Sequence, residues 1–193
     1  MKQHHASGLD AQARIAKIDS IYAGAGADVI DLTSQRFEYA GGLGMVVTGG
    51  DGDDVIWASQ GKNLLCGDGG NDRLVGASGN DVLVGGAGDD TMHGGGGDDL
   101  FVFGANWGND AVTQFADGKV TLWFQDGDES KWDASTLTYT DGDNSVTVTG
   151  VADVALKFGD DGSQQYQTLL AIGAFDQAVS DRIFKDDDKG MLA

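Results

Sequence analysis

The sequence contains no proline and a single cysteine, Cys66. One thiol excludes an internal disulfide, so stability must come from core packing or from a bound ion. Basic residues are also scarce: 12 Lys and Arg stand against 31 Asp and Glu, giving a net charge of −19. Gripping a phosphate backbone needs a basic footprint, so nucleic acid is excluded as a main partner. The same charge disfavours anionic membrane surfaces. There is no run of 18 apolar residues to span a membrane, and no N-terminal signal peptide is visible. Histidine occurs only as His4, His5 and His93. HExxH, GxSxG, a Walker loop and a convincing dinucleotide fingerprint are all missing, so the reading is of a protein that is not an enzyme, with no catalytic residue. Cys66 sits at an apolar strand position and reads as a packed thiol rather than a nucleophile.

What the chain has in quantity is glycine, with 32 copies, and aspartate, and both recur with a fixed period. Residues 49–102 are six gapless nine-residue units: GGDGDDVIW, ASQGKNLLC, GDGGNDRLV, GASGNDVLV, GGAGDDTMH and GGGGDDLFV. Position six holds Asp54, Asn63, Asp72, Asp81, Asp90 and Asp99; position eight holds Ile56, Leu65, Leu74, Leu83, Met92 and Phe101. A short strand centred on position eight turns that side chain inward, so stacked units share one apolar column that a single unit could not form. The first six residues must turn back tightly, and glycines at positions one, two and four allow the positive φ and close backbone approach this needs. Ten aspartates in this stretch face only Lys62 and Arg73, so folding packs carboxylates together without basic partners. A cation must arrive with the fold. Calcium suits the donor set, taking carboxylates and main-chain carbonyls at flexible geometry, whereas magnesium demands a smaller octahedron and zinc wants His and Cys.

On these units, best in Gly49–Trp57, Gly85–His93 and Gly94–Val102, the stretch resembles the RTX family, the GGxGxDxUx repeats of proteins exported by type I secretion systems. The resemblance implies a mainly β chain: a right-handed parallel β-roll with two units per turn, and Ca2+ held between the loop of one unit and that of the unit two further on. Carried over, the carboxylate ligands are Asp54 with Asp72, Asp72 with Asp90 and Asp90 with Asp110 on one edge, and Asp81 with Asp99 on the other. The turns ahead of them complete the metal set: Gly49, Asp51, Asp53; Gly67, Gly69, Asn71; Gly76, Ser78, Asn80; Gly85, Ala87, Asp89; and Gly94, Gly96, Asp98. The unit ASQGKN has lost two glycines and its carboxylate and has gained Lys62, so the Asn63/Asp81 position is expected to be weak or empty. Gln114 stands where an acid would precede Phe115, so no strong site is expected beyond Asp110.

Three regions are expected along the chain. Residues 1–22 read as an appended or arbitrary start followed by a short amphipathic helix or a linker over 9–21. Residues 23–118 form the roll, with metal-free capping turns over 23–48, where AGAGADVID is an isolated near-copy of the unit, and calcium-bound repeats over 49–118. Residues 119–193 form a C-terminal cap of antiparallel strands and a short helix. Its hairpin is read from TLTYT and SVTVTG about a turn at 141–144, its helix from SQQYQTLLAIGAF, and its acidic tail as a type I secretion signal. Positions seven and nine point outward, yet in alternate units they are Leu64 and Cys66, Val82 and Val84, Leu100 and Val102. Such a stripe is rarely left bare; the C-terminal segment, the N-terminal helix or self-association with a second chain would cover it. The function expected is calcium-coupled folding after type I secretion, at the C-terminus of a large adhesin-like protein in the medium or on the cell surface of a bacterium. The alternatives are an accessory tail of a secreted enzyme or toxin, and a module binding a glycan or protein partner through Trp57, Trp107, Trp123 and Trp132.

Overall fold

Each unit alternates an inward apolar residue with outward neighbours over three residues, then breaks at glycines, so the chain can only form short strands joined by tight turns. A computed structural model describes residues 20–33, 45–114, 116–151 and 154–159. Its strands are β1 (Ser20–Ala25), β2 (Val29–Asp31), β3 (Val46–Asp51), β4 (Val55–Trp57), β5 (Leu64–Gly69), β6 (Arg73–Val75), β7 (Val82–Ala87) and β8 (Thr91–His93), followed by β9 (Asp99–Phe103), β10 (Asn109–Thr113), β11 (Val120–Phe124), β12 (Trp132–Asp133), β13 (Thr138–Asp141), β14 (Asn144–Thr149) and β15 (Val154–Phe158). They form two sheets, ordered β1-β3-β5-β7-β9-β11-β15 and β12-β13-β14-β10-β8-β6-β4-β2. Successive units therefore alternate between sheets, and neighbours within a sheet are parallel and two units apart: Leu65 pairs with Leu83 and Leu74 with Met92. This is a β-roll, as the period requires.

The registers stack the inward residues into two facing columns. Val47, Leu65, Leu83, Phe101 and Leu122 line one sheet, and Ile56, Leu74, Met92, Val112 and Val148 the other; all are at most 2% exposed. Burying each such side chain contributes about 1.5–3 kcal/mol, and no single turn could achieve it alone. The first turn is the thinnest: Tyr22 and Val29 are 71% and 69% exposed.

The antiparallel hairpin expected after residue 119 is present, with Tyr139 opposite Val146 and a two-residue turn at Gly142-Asp143. However, the roll does not stop there. β11, β14 and β15 join the two sheets in parallel with β9, β10 and β11. The cause lies in KVTLWFQ, whose Val120, Leu122 and Phe124 fall in register with Asp99, Phe101 and Phe103 and keep the inward column filled. At this end the column turns aromatic: Phe124 stacks between Phe103 at 4.9 Å and Tyr139 at 3.8 Å, with Phe158 and Trp107 alongside. The Tyr139 hydroxyl accepts the Asp128 amide at 2.9 Å. The helices read over 9–21 and 163–175 and the acidic tail lie outside the described residues, apart from Ser20 and Ile21, which begin β1.

Candidate metal centre

The turns between strands build two carboxylate columns, one on each edge of the roll. On the first, the amide of Asp54 donates to Asp72 Oδ1 at 2.7 Å, that of Asp72 to Asp90 Oδ1 at 2.8 Å and that of Asp90 to Asp110 Oδ1 at 2.8 Å. On the second, Asn63 donates to Asp81 Oδ1 at 2.7 Å and Asp81 to Asp99 Oδ1 at 2.9 Å. Each sixth-position side chain thus fixes the turn two units before it, which is why that residue recurs in a short acceptor-bearing form.

One oxygen of each carboxylate is consumed this way; in all of them but Asp99 the other is not. The Oδ2 atoms of Asp54, Asp72, Asp81, Asp90 and Asp110 are buried without any hydrogen-bond partner, on residues no more than 4% exposed. They point into cradles that the first-position glycines keep open. A Cβ on Gly67 would collide with Asp72 Oδ2 and the Gly85 carbonyl, and one on Gly76 with Asp81 Oδ2 and the Gly94 carbonyl. The second- and fourth-position glycines serve differently, holding positive φ as at Gly86 (111°) and Gly88 (132°). At the second position of their units Asp68 at 76° and Ala77 at 75° accept that conformation without being glycine.

Buried, unpaired carboxylates resist ionisation. Burial pushes Asp81 and Asp110 up to about 8, Asp90 to about 7 and Asp72 to about 6, against the partial relief of the amide each accepts. Asp68 is also pushed up to about 6, by burial first and then by Asp51 and Asp54. Among the described residues no three His, Cys, Asp or Glu side chains converge as a metal-binding group, so a cradle offers carboxylate oxygens together with main-chain carbonyls. That set fits a hard cation of high coordination number and does not fit zinc.

Two cradles are already filled, by amide groups. Asn63 Nδ2 donates to the carbonyls of Ser59 at 2.9 Å and Gly61 at 3.0 Å and to Asp81 Oδ1 at 3.0 Å. An N–H donor therefore occupies the place where the expected site was weak or empty. At the far end of that column Gln114 Nε2 donates to Asp99 Oδ2 at 2.9 Å and to the Gly97 carbonyl at 3.3 Å. The loss of acid at these positions was legible; that the amide stands in for positive charge was not, although a carboxamide at a column position is the signal.

The fifth-position residues counted with the metal set make a separate ladder. Asp53, Asn71 and Asp89 accept, through Oδ1, the amides of Asn71, Asp89 and Asn109 at 2.7–2.8 Å, and on the other edge Asn80 and Asp98 accept those of Asp98 and Lys119 at 3.0–3.1 Å. These side chains hold the exposed rim of the turns rather than the cradles. Of the other residues in that set, Gly49 and Gly94 each leave room for the Oδ2 of their own unit's sixth residue, and Gly85 does the same for Asp90. Asp51 and Ser78 are exposed, and Gly69, Ala87 and Gly96 half-buried. Trp107 and Trp123 are 7% and 4% exposed, which withdraws two of the four rings considered as sugar platforms.

Compared with known families, the chain matches the model of the RTX calcium-binding nonapeptide repeat in four copies, at residues 16–35, 46–74, 67–101 and 75–112. No curated protein matches it.

Proposed function

Because residues 16–112 belong to the RTX calcium-binding nonapeptide repeat family, we propose that this chain is a non-catalytic module whose folding is switched on by calcium after export. The observation that carries the reading is the set of buried Oδ2 atoms with no partner. A fold that buries five such oxygens, on a chain of net charge −19, is held back by its own carboxylates until a cation shares them.

The residues that would hold calcium are Asp54 with Asp72, Asp72 with Asp90, Asp90 with Asp110, and Asp81 with Asp99, together with the carbonyls of the first-position glycines facing each cradle. Bound there, calcium supplies the positive charge that the sequence omits. The protein's part is to preposition the acceptors: the amide bonds to Oδ1 fix each carboxylate, the glycines admit the carbonyls, and the apolar columns keep water from one side. With extracellular-type dissociation constants near 10⁻⁴–10⁻³ M, each site at ten times its constant adds about 1.4 kcal/mol. Four together are enough to decide between folded and unfolded in a marginally stable domain.

The setting we infer is a bacterial protein secreted by a type I system, with this module near the C-terminus of a large extracellular or surface polypeptide. It stays unfolded where calcium is scarce and folds outside, where calcium is plentiful. Titration calorimetry on the chelator-treated chain tests the site assignment. About four calcium ions should bind per chain by the count of open cradles, with magnesium unable to replace them. One ion or none would remove the reading.

A further inference from the structure

The two sheets differ on their outer faces. On the seven-stranded sheet the outward residues Leu64, Cys66, Val82, Val84, Leu100 and Val102 are apolar and only 1–5% exposed. The outer face of the eight-stranded sheet is more polar and more open: Arg73 and Thr91 are exposed, and Trp57, Val75, His93 and Thr113 are half-buried. The registers set these side chains in two rows. Arg73 stands beside Thr91, and Trp57, Val75, His93 and Thr113 follow one another across β4, β6, β8 and β10. Neighbours in a row are about 4.8 Å apart. Although the chain carries a net charge of −19, the outward positions of β4, β6, β8, β10 and β14 hold no carboxylate.

A cleft of about 340 Å³ opens on this face, lined by Arg73, Leu74, Val75, Thr91, His93 and Thr113. Its size is at the lower end for small-molecule sites and suits one sugar ring. Among the described residues nothing hydrogen-bonds or ion-pairs with the Arg73 guanidinium, so its planar fork of five N–H donors is available. The His93 ring is held in place, with Nδ1 at 3.0 Å from both the carbonyl and the hydroxyl oxygen of Thr113. We propose that this cleft binds an acidic sugar, a hexuronate, with its carboxylate on Arg73, its hydroxyls on Thr91 and Thr113, and its apolar face over Val75 towards Trp57. Each part of the site answers one part of that ligand. A single guanidinium matches a single planar carboxylate through two parallel hydrogen bonds, whereas a phosphate backbone needs a basic footprint that this face lacks. Trp57, next to Val75 in the row, offers the apolar ring surface on which a sugar stacks. The site draws on residues 18 to 20 positions apart that strand pairing alone brings together. It requires the stacked roll but not the calcium switch proposed for its folding.

The test is a titration of the full-length, calcium-loaded chain with glucuronate at constant free calcium, followed by amide NMR shifts. Saturable shifts should appear at 73–75, 91–93 and 113, with a dissociation constant of about 1–10 mM, as befits a ligand of this size. The methyl ester of glucuronate keeps the shape without the charge, and acetate keeps the charge without the ring; each should bind roughly 10-fold more weakly. Arg73→Gln should weaken glucuronate binding by a similar factor, and Lys119→Gln, an exposed cation outside the cleft, should leave it unchanged. Circular dichroism verifies that each variant keeps its β signal, which separates loss of the site from loss of the fold. Should Arg73→Gln fail to fold, the comparison of acid with ester on the unmodified chain gives the same reading. The proposal is overturned if the cleft amides do not shift, or if the ester or acetate binds as tightly as glucuronate. It is equally overturned if the shifts fall instead on the turns at 67–72 and 85–90, where a carboxylate would be joining calcium.

Discussion

At the scale of single residues, the side chain at position six sets both local geometry and charge. Oδ1 anchors the preceding turn on its edge; Oδ2 faces the cradle. Asp90 lies between two cradles, accepting from Asp72 and donating its amide to Asp110, whereas Asp54 borders a single one in the regular stretch. Asp90→Asn keeps the anchor and places an N–H donor in the cradle, as Asn63 does. Calorimetry should then show about two fewer calcium ions for Asp90→Asn and about one fewer for Asp54→Asn, each with the fold intact at saturating calcium. The converse change is as informative. Asn63→Asp removes the donor that satisfies Ser59, Gly61 and Asp81 and should add about one calcium ion by the same ligand logic. In chelator the same change should destabilise the fold, as it leaves another buried carboxylate without a partner.

At the scale of elements, the two ends of the roll differ. The N-terminal turn of β1 and β2 leaves Tyr22 and Val29 open to water. The C-terminal end is closed by the stack of Phe103, Phe124, Tyr139 and Phe158, which needs no cation. We expect this stack to template the neighbouring turns, with calcium-dependent stacking proceeding from it. Phe124→Ala should cost roughly 3–5 kcal/mol, raising the calcium needed for folding steeply when followed by circular dichroism. Ile30→Ala, in the thinly covered first turn, should shift that midpoint only slightly.

The regular stretch was legible in the sequence because one residue, position eight, alternates sheets with every unit and so dictates strand, turn and stacking together. The sequence pattern was weaker after residue 119. There the hairpin strands are read correctly from period-two alternation in TLTYT and SVTVT, but the parallel partners of β11, β14 and β15 lie 21 to 36 residues away and no fixed period announces the pairing. The cradle filling by Asn63 and Gln114 was hidden for another reason. A carboxamide and a carboxylate have the same shape, and only the hydrogen-bond partners reveal which is satisfied.

At the scale of the whole molecule, acid and calcium should be interchangeable supports for the fold. The native values of Asp72, Asp81, Asp90 and Asp110, at about 6 to 8, lie above the unfolded value of 3.8. The folded state therefore holds more protons than the unfolded one across this window, and stability falls as pH rises. In chelator the roll should be most stable near or below pH 4 and should lose stability steadily towards pH 8, seen as a falling melting temperature. With saturating calcium the trend should reverse over the same range, because protons and calcium compete for the same oxygens.

The most direct test is far-UV circular dichroism of the chelator-treated chain at pH 8 during a calcium titration, with magnesium as the control. The account predicts a disordered spectrum at the start and a cooperative rise of β signal in the sub-millimolar to millimolar range with calcium alone. A chain already fully folded in chelator at that pH would show that the carboxylate columns do not gate folding, and would contradict the account at its centre.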